Sequence, residues 1–344
     1  MKVYYDSSLT GSGKTHSAID YYVKSERKVL AVVPSIDLAR EYEKKAYELA
    51  KDKCNSFFCK VITSEDKKTG KGKGKPVKQM VQDAIDGANK KEVPVFLVIT
   101  HITFKGLMLD GMRGIDGWCL LIDECIDLFS TASMSLTKLS ATNFHDKFYW
   151  KKSCFSGLMT VGVKEEYKNV LISLLNGEVK DDGWWGREDA LQFLEYVLSS
   201  SFSTYLVEDD FFALQRVMKG HDEGVKLYFL SAVDKASLSQ FSSISILSAM
   251  FEKTVLCEVL RSTGMQCKFY NFSGSSSSSH DNGDRLKIHY FIDKNNSISF
   301  MNKGGEKGDD NESKVVRTAL SIIGDEDFIF NANVDSRKKK AYKT

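Results

Sequence analysis

The chain has 344 residues, 42% of them hydrophobic and 11% aromatic, which is enough apolar content for the cores of two ordinary domains. Its formal net charge of +2 excludes a protein whose overall field attracts nucleic acid, so any such affinity must come from a local patch. The start lacks the pattern of a signal peptide, and no apolar run approaches the roughly 18 residues of a membrane span. The sequence therefore predicts neither export nor membrane insertion.

The cysteine pattern indicates a reducing compartment. Seven cysteines are present, an odd number, and none of them forms a C-x-x-C pair. We therefore expect free thiols, no structural zinc and a cytoplasmic location. The cysteines are Cys54, Cys59, Cys119, Cys125, Cys154, Cys257 and Cys267.

Strand and helix signals alternate over the first part of the chain. Continuous apolar runs typical of buried strands are separated by segments with apolar residues at helical spacing. This alternation predicts a parallel α/β sheet flanked by helices. The predicted strands are residues 3–5, 28–34, 59–63, 93–99 and 118–124, and the predicted helices are residues 17–23, 36–50 and 77–89.

The pattern changes in the middle of the chain. Residues 164–175 and 188–198 have helical spacing, and no clear strand alternation is visible, so residues 129–224 are predicted to form a helical insertion. Strand signals resume at residues 225–230 and 244–248. We therefore assign residues 1–128 and 225–272 to one discontinuous α/β domain.

The last part of the chain predicts a linker and the beginning of another domain. A serine run with neighbouring glycines and Asp281-Asn282-Gly283 predicts a linker over residues 273–284. A strand, an amphipathic helix and a second strand follow at residues 285–292, 314–323 and 327–330. Residues 285–344 are therefore predicted to be a partial second α/β domain, which ends in a basic tail.

The most informative motif is a glycine-rich loop between the first strand and the first helix. A polyphosphate needs converging backbone N–H groups, a lysine and a hydroxyl for Mg²⁺, and this junction supplies all three. Ser8 stands where the usual eight-residue pattern has its first glycine, so only the G-x-G-K-T core is intact. The predicted nucleotide-binding residues here are Thr10, Gly11, Ser12, Gly13, Lys14, Thr15 and His16.

A second motif supplies carboxylates. Leu120-Leu121-Ile122 is an apolar strand that ends in Asp123-Glu124, which is what hydrolysis of a magnesium nucleotide requires after a phosphate loop. Asp123, together with Thr15, would hold Mg²⁺, and Glu124 would polarise the attacking water. The candidate catalytic residues are Lys14, Asp123 and Glu124.

Taken together, these motifs and the segments between them resemble the superfamily 2 helicases of the DEAD/DEAH type, particularly the compact phage-encoded ones. Gly11 to Thr15 correspond to motif I, and Asp123-Glu124-Cys125-Ile126 correspond to motif II. The weaker matches follow in the family's order. They are Val32-Val33-Pro34-Ser35 with Leu38 and Ala39 as motif Ia, Ile99-Thr100-His101 as the strand end before motif II, and Ser248-Ala249-Met250 as motif III.

The resemblance implies a RecA-like domain that uses ATP and Mg²⁺ to move on nucleic acid, either single- or double-stranded DNA or RNA, in a bacterial or phage-infected cell. It places Ser248 in the nucleotide site. Pro34, Ser35, Thr100 and His101 would then contact the phosphate backbone without reading bases. For His101 an equally strong alternative is a core histidine that satisfies a loop carbonyl.

Three departures from the family pattern matter. Ile126 stands where many members have a polar residue, and Met250 replaces the threonine of motif III. The second RecA-like domain with its arginine fingers is not recognisable, so we expect a protein partner or a missing C-terminal half to supply them. Leu139-Ser140-Ala141-Thr142 also spells motif III, but we favour Ser248-Ala249 because it ends an apolar run.

Several alternatives stay open at this point. The lysine-rich residues 67–78 and the tail at residues 337–340 are either extra nucleic-acid contacts or solvated charge. Trp184-Trp185 is either a stacking platform for an unpaired base or a buried or partner-facing pair. The competing functions are a phage packaging-motor ATPase, a phosphate-loop kinase and a degenerate ATP-binding scaffold.

Overall fold

The computed structural model describes residues 2–8, 11–51, 57–67, 75–91, 93–179 and 188–272, all of which belong to one compact unit, Met1–Ser279. The predicted linker and partial second domain at residues 273–344 lie outside the described residues. The strands are β1 (Lys2–Asp6), β2 (Lys28–Val33), β3 (Phe58–Val61), β4 (Val95–Thr100), β5 (Cys119–Asp123), β6 (Phe129–Thr137), β7 (Phe148–Lys152), β8 (Leu158–Val163), β9 (Phe202–Val207), β10 (Gly224–Val233), β11 (Ser243–Leu247) and β12 (Gln266–Phe269).

The α-helices connect these strands and cover the sheets. They are α1 (Lys14–Lys24), α2 (Ile36–Ala50), α3 (Val77–Asn89), α4 (His101–Asp110), α5 (Lys138–Lys147), α6 (Glu165–Leu175), α7 (Glu188–Val197), α8 (Glu208–Met218), α9 (Lys235–Leu238) and α10 (Val255–Ser262).

The main sheet has seven strands in the order β12-β1-β11-β5-β2-β4-β3, and every neighbouring pair is parallel. The predicted α/β class with a parallel sheet flanked by helices is therefore confirmed. This architecture is consistent with a RecA-like fold.

Helices cover both faces of the main sheet, which is why its central strands are continuous apolar runs. Side chains of α1 and α2 pack with one set of alternating strand residues, including Ala31, Val98 and Leu121. Side chains of α3, α4 and α10 pack on the other face, against residues that include Val32, Ile99 and Ile122. Residues 29–33 of β2 are completely buried by this arrangement.

Because all seven strands are parallel, their carboxyl ends meet at one edge of the sheet. The glycine-rich loop follows β1, Glu124 follows β5, and Ser248 follows β11, which lies between β1 and β5. Pro34 follows β2, and Thr100 ends β4. The motifs that the sequence separates by more than 200 residues are thus brought to one edge by the topology.

The prediction of a helical insertion over residues 129–224 is wrong. This region, extended to Val233, contains a five-stranded antiparallel sheet in the order β6-β10-β9-β8-β7, with α5 to α8 packed on it. The strand predicted at residues 225–230 to rejoin the parallel sheet is β10, which pairs with β6 and β9. The insertion is therefore a separate α/β layer within the unit.

The strands were missed because some of their inward positions are polar or only weakly apolar. In β6 the inward side chains include Ser130 and Ala132, so alternation of apolar and polar residues is faint. In β10, Leu227 and Phe229 are buried while Lys226 and Tyr228 are exposed. That period of two is typical of an antiparallel sheet with one exposed face, not of a buried parallel strand.

Candidate nucleotide site

The glycine-rich loop ends in a helix start that favours anions. Gly11 and Gly13 have φ values of 83° and 80°, a left-handed conformation that a side chain would strain. Gly13 is the N-cap of α1, it offers no side-chain cap, and the first turn has no acidic residue. The first N–H groups of α1 and the helix dipole therefore favour a phosphate. Thr10 lies outside the described residues.

Lys14 is held back toward the loop by a backbone carbonyl. Lys14 is 9% exposed, and its Nζ donates to the Ser8 carbonyl at 2.9 Å. The Ser8 N–H in turn donates to Asp6 Oδ1 at 3.0 Å, and the other oxygen of this fully buried carboxylate accepts from the Phe272 N–H at 2.9 Å. Asp6 therefore fixes the entry of the loop. Asp6 was not among the predicted site residues, although an aspartate that ends an apolar strand before the loop is a visible signal in the sequence.

Asp123 is the polar centre of the site. Its carboxylate accepts from Thr15 Oγ1 at 3.1 Å and from Tyr42 Oη at 2.7 Å. Burial raises the pKa of Asp123, and the hydrogen bonds from Tyr42 and Thr15 oppose that rise. The two predicted Mg²⁺ ligands, Thr15 and Asp123, are thus in direct contact.

Tyr42 is the second residue that sequence reasoning missed. It lies on the buried face of α2, where apolar spacing indicates a core residue. Burial, and then the charge of Asp123, hold its pKa well above the usual range, so the hydroxyl keeps its proton and donates to the carboxylate. Only the packing of α2 against the sheet reveals this contact.

The peptide group between Asp123 and Glu124 is fixed from both sides. The Asp123 carbonyl lies 2.9 Å from His101 Nε2, and the Glu124 N–H donates to the Leu247 carbonyl at 2.8 Å. A carbonyl only accepts, so Nε2 carries the proton. Burial lowers the pKa of His101, which favours the neutral ring. These bonds hold Glu124 at φ 65°, a left-handed conformation that costs a non-glycine residue roughly 1–2 kcal/mol.

Ser248 lies beside the same strand ends. Its N–H donates to the Asp6 carbonyl at 3.1 Å, and its hydroxyl accepts from Cys125 Sγ at 3.1 Å. The competing Leu139-Ser140-Ala141-Thr142 segment lies instead in α5 of the insertion, where the Thr142 hydroxyl donates to the Lys138 carbonyl. Ile126 is buried at 4% exposure, and Met250 is exposed with φ 58°.

A cavity of about 790 Å³ opens at this edge of the sheet, within the size range of small-molecule sites. Two of the predicted residues do not line the cavity. Thr10 lies outside the described residues. Ser12 is described, and its buried hydroxyl has no hydrogen-bond partner among the described residues. The predicted residues that line it are Gly11, Gly13, Lys14, Thr15, His16, Asp123, Glu124 and Ser248.

The predicted nucleic-acid contacts lie at the same sheet edge but do not line the cavity. Pro34 and Ser35 are exposed after β2, and the Ser35 side chain caps α2 by accepting from the Leu38 N–H at 3.2 Å. Thr100 caps α4 by accepting from the Thr103 N–H at 3.4 Å. His101 binds the Asp123 carbonyl, as expected of a core histidine that satisfies a loop carbonyl. Its contact with nucleic acid stays a prediction.

The lysine-rich segment at residues 67–78 is the one further candidate for nucleic-acid binding that lies partly within the described residues. Lys75 pairs with Asp83 and Lys78 with Asp110, both at 2.9 Å, so these two lysines are already engaged. Trp184-Trp185 and the tail at residues 337–340 lie outside the described residues. Within the described part of the chain, no helix is both long and apolar enough to cross a membrane.

Comparisons with known proteins add little. No family model matches the chain, and no curated protein matches it. Among solved structures, a chain described as "Truncated XPD" matches with 14% sequence identity and a TM-score of 0.32, covering 78% of this chain and 95% of that chain. A TM-score this low does not establish a shared fold. The fold class is therefore assigned from the strand order and the parallel pairing of the main sheet.

The buried charge of Asp123 predicts a trade-off between stability and binding. The pKa of Asp123 is raised above 3.8, its value in the unfolded chain. The folded protein therefore loses stability as the pH rises from 3.8 through the higher pKa of the folded state. At pH 7, Asp123→Asn is therefore expected to keep or raise the melting temperature of the nucleotide-free protein. It should also abolish the stabilisation by Mg-ATP, which is about 2.7 kcal/mol at a hundredfold excess over Kd.

Thermal unfolding with and without Mg-ATP measures both effects. Asp234→Asn is the matched control, since burial also raises the pKa of this aspartate, which lies directly after β10 and accepts from the Ser203 hydroxyl. It should retain the nucleotide response. A much lower melting temperature for nucleotide-free Asp123→Asn would show that Asp123 is a structural anchor instead.

Proposed function

We propose that this chain binds Mg-ATP and hydrolyses it to drive movement on nucleic acid, as a helicase or translocase of the superfamily 2 type. The observation that carries the proposal is one cavity whose lining includes Lys14, Thr15, Asp123 and Glu124. Lys14 and Thr15 follow β1, and Asp123 and Glu124 lie at the end of β5, so the four side chains come together at one edge of the parallel sheet.

The donor set suits a magnesium nucleotide. Thr15 and Asp123 offer two hard oxygen ligands in mutual contact, and Mg²⁺ typically takes one or two protein oxygens and completes its shell with water and phosphate oxygens. When bound, Mg²⁺ would neutralise phosphate charge. Lys14 and the N–H groups at the start of α1 would bind the phosphate oxygens, as a helix start with left-handed glycines favours.

Glu124 is the proposed water-activating carboxylate. Its side chain is exposed to the cavity, and its backbone is fixed by the His101 and Leu247 contacts on either side of the preceding peptide. A fixed backbone limits the positions that the Glu124 carboxylate can reach, which favours proton abstraction from a water in the cavity. We assign His101 a positioning role in addition to its predicted contact with the strand.

Hydrolysis by the described residues alone should be slow. The cationic side chains that line the cavity there are Lys14, Lys45 and, when protonated, His16, with no arginine among them. An arginine finger contributes about 10³–10⁵ in rate in related enzymes. We therefore propose that an arginine comes from a partner or from a part of the protein outside the described residues.

The test of the proposed function is ATP turnover measured with and without single-stranded DNA or RNA. We expect slow basal hydrolysis that rises at least severalfold with a strand. Phosphoryl transfer to a nucleoside would instead identify a kinase, and stimulation by duplex DNA alone would favour a packaging motor. Binding without turnover in every case would identify a scaffold, the alternative that the departures at Ile126 and Met250 from the family pattern keep open.

A further inference from the structure

The insertion sheet has one covered and one uncovered face. Side chains from α5, α6, α7 and α8 form a single core with the inward residues of the strands, which include Leu206, Leu227 and Phe229. Among the described residues, no helix contributes to a core on the opposite face. Tyr149 and Tyr228 on that face are 50% and 55% exposed. We call it the open face and define it by the outward positions of β6 to β10.

The open face has an unusual composition. Because side chains alternate along a strand, its members follow from the register of the five paired strands. They include three tyrosines, two lysines, a row of hydroxyl residues and five apolar residues, and no aspartate or glutamate. The apolar residues are Phe129, Leu158, Val207, Leu230 and Ala232. The hydroxyl residues are Thr131, Ser133, Ser135, Thr137, Thr160 and Ser203.

The open face carries three tyrosine rings. The Tyr149 ring occupies the space above Gly162 where a side chain would stand, since a Cβ there would lie 2.1 Å from the ring, so the ring lies on the sheet. Tyr205 is half-buried and makes an edge contact with Phe155 at a centroid distance of 5.5 Å. Tyr228 lies on the central strand β10. Three aromatic rings are thus spread across the sheet.

The charges of the open face are positive. Lys226 lies with its Nζ 5.1 Å from the centre of the Tyr228 ring, and Lys151 is exposed opposite Thr160. Two carboxylates hydrogen-bond to residues of this face, Asp210 to the Tyr228 N–H at 3.1 Å and Asp234 to the Ser203 hydroxyl at 2.6 Å. Both lie outside the strands, in α8 and after β10, so the strands themselves present only lysines.

We propose that the open face binds a single-stranded segment of nucleic acid. Every base has a face that stacks on an aromatic ring, and lysines beside such rings pair with phosphates, which is how sequence-independent strand binding is built. A protein partner would need carboxylates of its own to pair with the two lysines, because the open-face strands supply none. The inference rests on the proposed function, because it adds a second contact for the strand on which that function acts.

The experiment is equilibrium binding of fluorescent oligothymidylate and oligouridylate to the full chain without nucleotide, at two salt concentrations. Combined Tyr149→Ala and Tyr228→Ala should weaken binding at least about fivefold, the equivalent of one lost stacking contact. Tyr149→Phe with Tyr228→Phe should bind as the wild type does, because stacking needs the ring and not the hydroxyl. Lys151→Ala with Lys226→Ala should weaken binding and flatten its salt dependence.

The matched control changes the helical side of the same insertion. Phe212 is 52% exposed and Lys219 is exposed there, so Phe212→Ala with Lys219→Ala should leave strand binding unchanged. Unaltered binding by the tyrosine-to-alanine variant, with melting temperature preserved, would overturn the proposal and assign the open face to a protein partner. Lys14→Ala separates the two proposals: it should lose ATP but keep the strand contact of the open face.

Discussion

Glu124→Gln is expected to lower ATP turnover by about 10²–10⁴-fold, the usual contribution of a positioned general base, while nucleotide affinity stays unchanged. Glutamine preserves the size of the side chain but cannot accept a proton from water. The backbone contacts that fix this residue, from His101 to the Asp123 carbonyl and from the Glu124 N–H to Leu247, do not involve the carboxylate. The variant should therefore trap the ATP-bound protein.

Single-turnover hydrolysis and nucleotide binding measured on the same preparation test this prediction. Glu41→Gln is the matched control, because Glu41 is an exposed carboxylate that lines the same cavity from α2. It should hydrolyse ATP at close to the wild-type rate. If Glu124→Gln turned over normally, the base would be another group and the assignment would be wrong.

Lys14→Ala is expected to abolish measurable nucleotide binding. Losing one partner of a buried, hydrogen-bonded charge pair costs about 2–5 kcal/mol, which corresponds to at least about thirtyfold weaker binding. In the nucleotide-free protein the Lys14 ammonium is already oriented in the loop by the Ser8 carbonyl, so little conformational freedom is lost when phosphate binds. No other lysine of the loop replaces it.

Two variants keep this result interpretable. Lys14→Met retains the packed aliphatic part of the side chain and should lose binding without a large change in melting temperature. Lys24→Ala, at the exposed end of the same helix, removes a lysine that pairs with Asp20 at 2.7 Å and should bind nucleotide normally. If both Lys14 variants bound nucleotide as tightly as the wild type, Lys14 would not be a nucleotide-binding residue.

The main sheet could be predicted from sequence because its strands are buried on both faces. Continuous apolar runs such as residues 29–33 and 95–99 have few other interpretations when helical segments separate them. The insertion sheet could not be predicted in the same way. Its strands have a single buried face, and a buried serine such as Ser130 at an inward position weakens the alternation on which recognition depends.

The candidate site shows the same division. The phosphate loop and the Asp123-Glu124 pair are local patterns, so the sequence indicates them directly. Tyr42 reaches the site only through tertiary packing, from the buried face of a helix. Asp6 accepts a local hydrogen bond from the Ser8 N–H, but its second bond, from the Phe272 N–H, forms only in the folded sheet. Nothing in the sequence indicates that the hydroxyl of a tyrosine on the buried face of α2 donates a hydrogen bond to a carboxylate.

The most direct measurement is a calorimetric titration of the wild-type chain with ATP in Mg²⁺ and again in excess chelator. A loop that offers N–H groups and Lys14, facing a Thr15–Asp123 pair, predicts one saturable site whose affinity falls sharply when Mg²⁺ is removed. Absence of saturable heat in Mg²⁺, or an affinity that the chelator leaves unchanged, would contradict it.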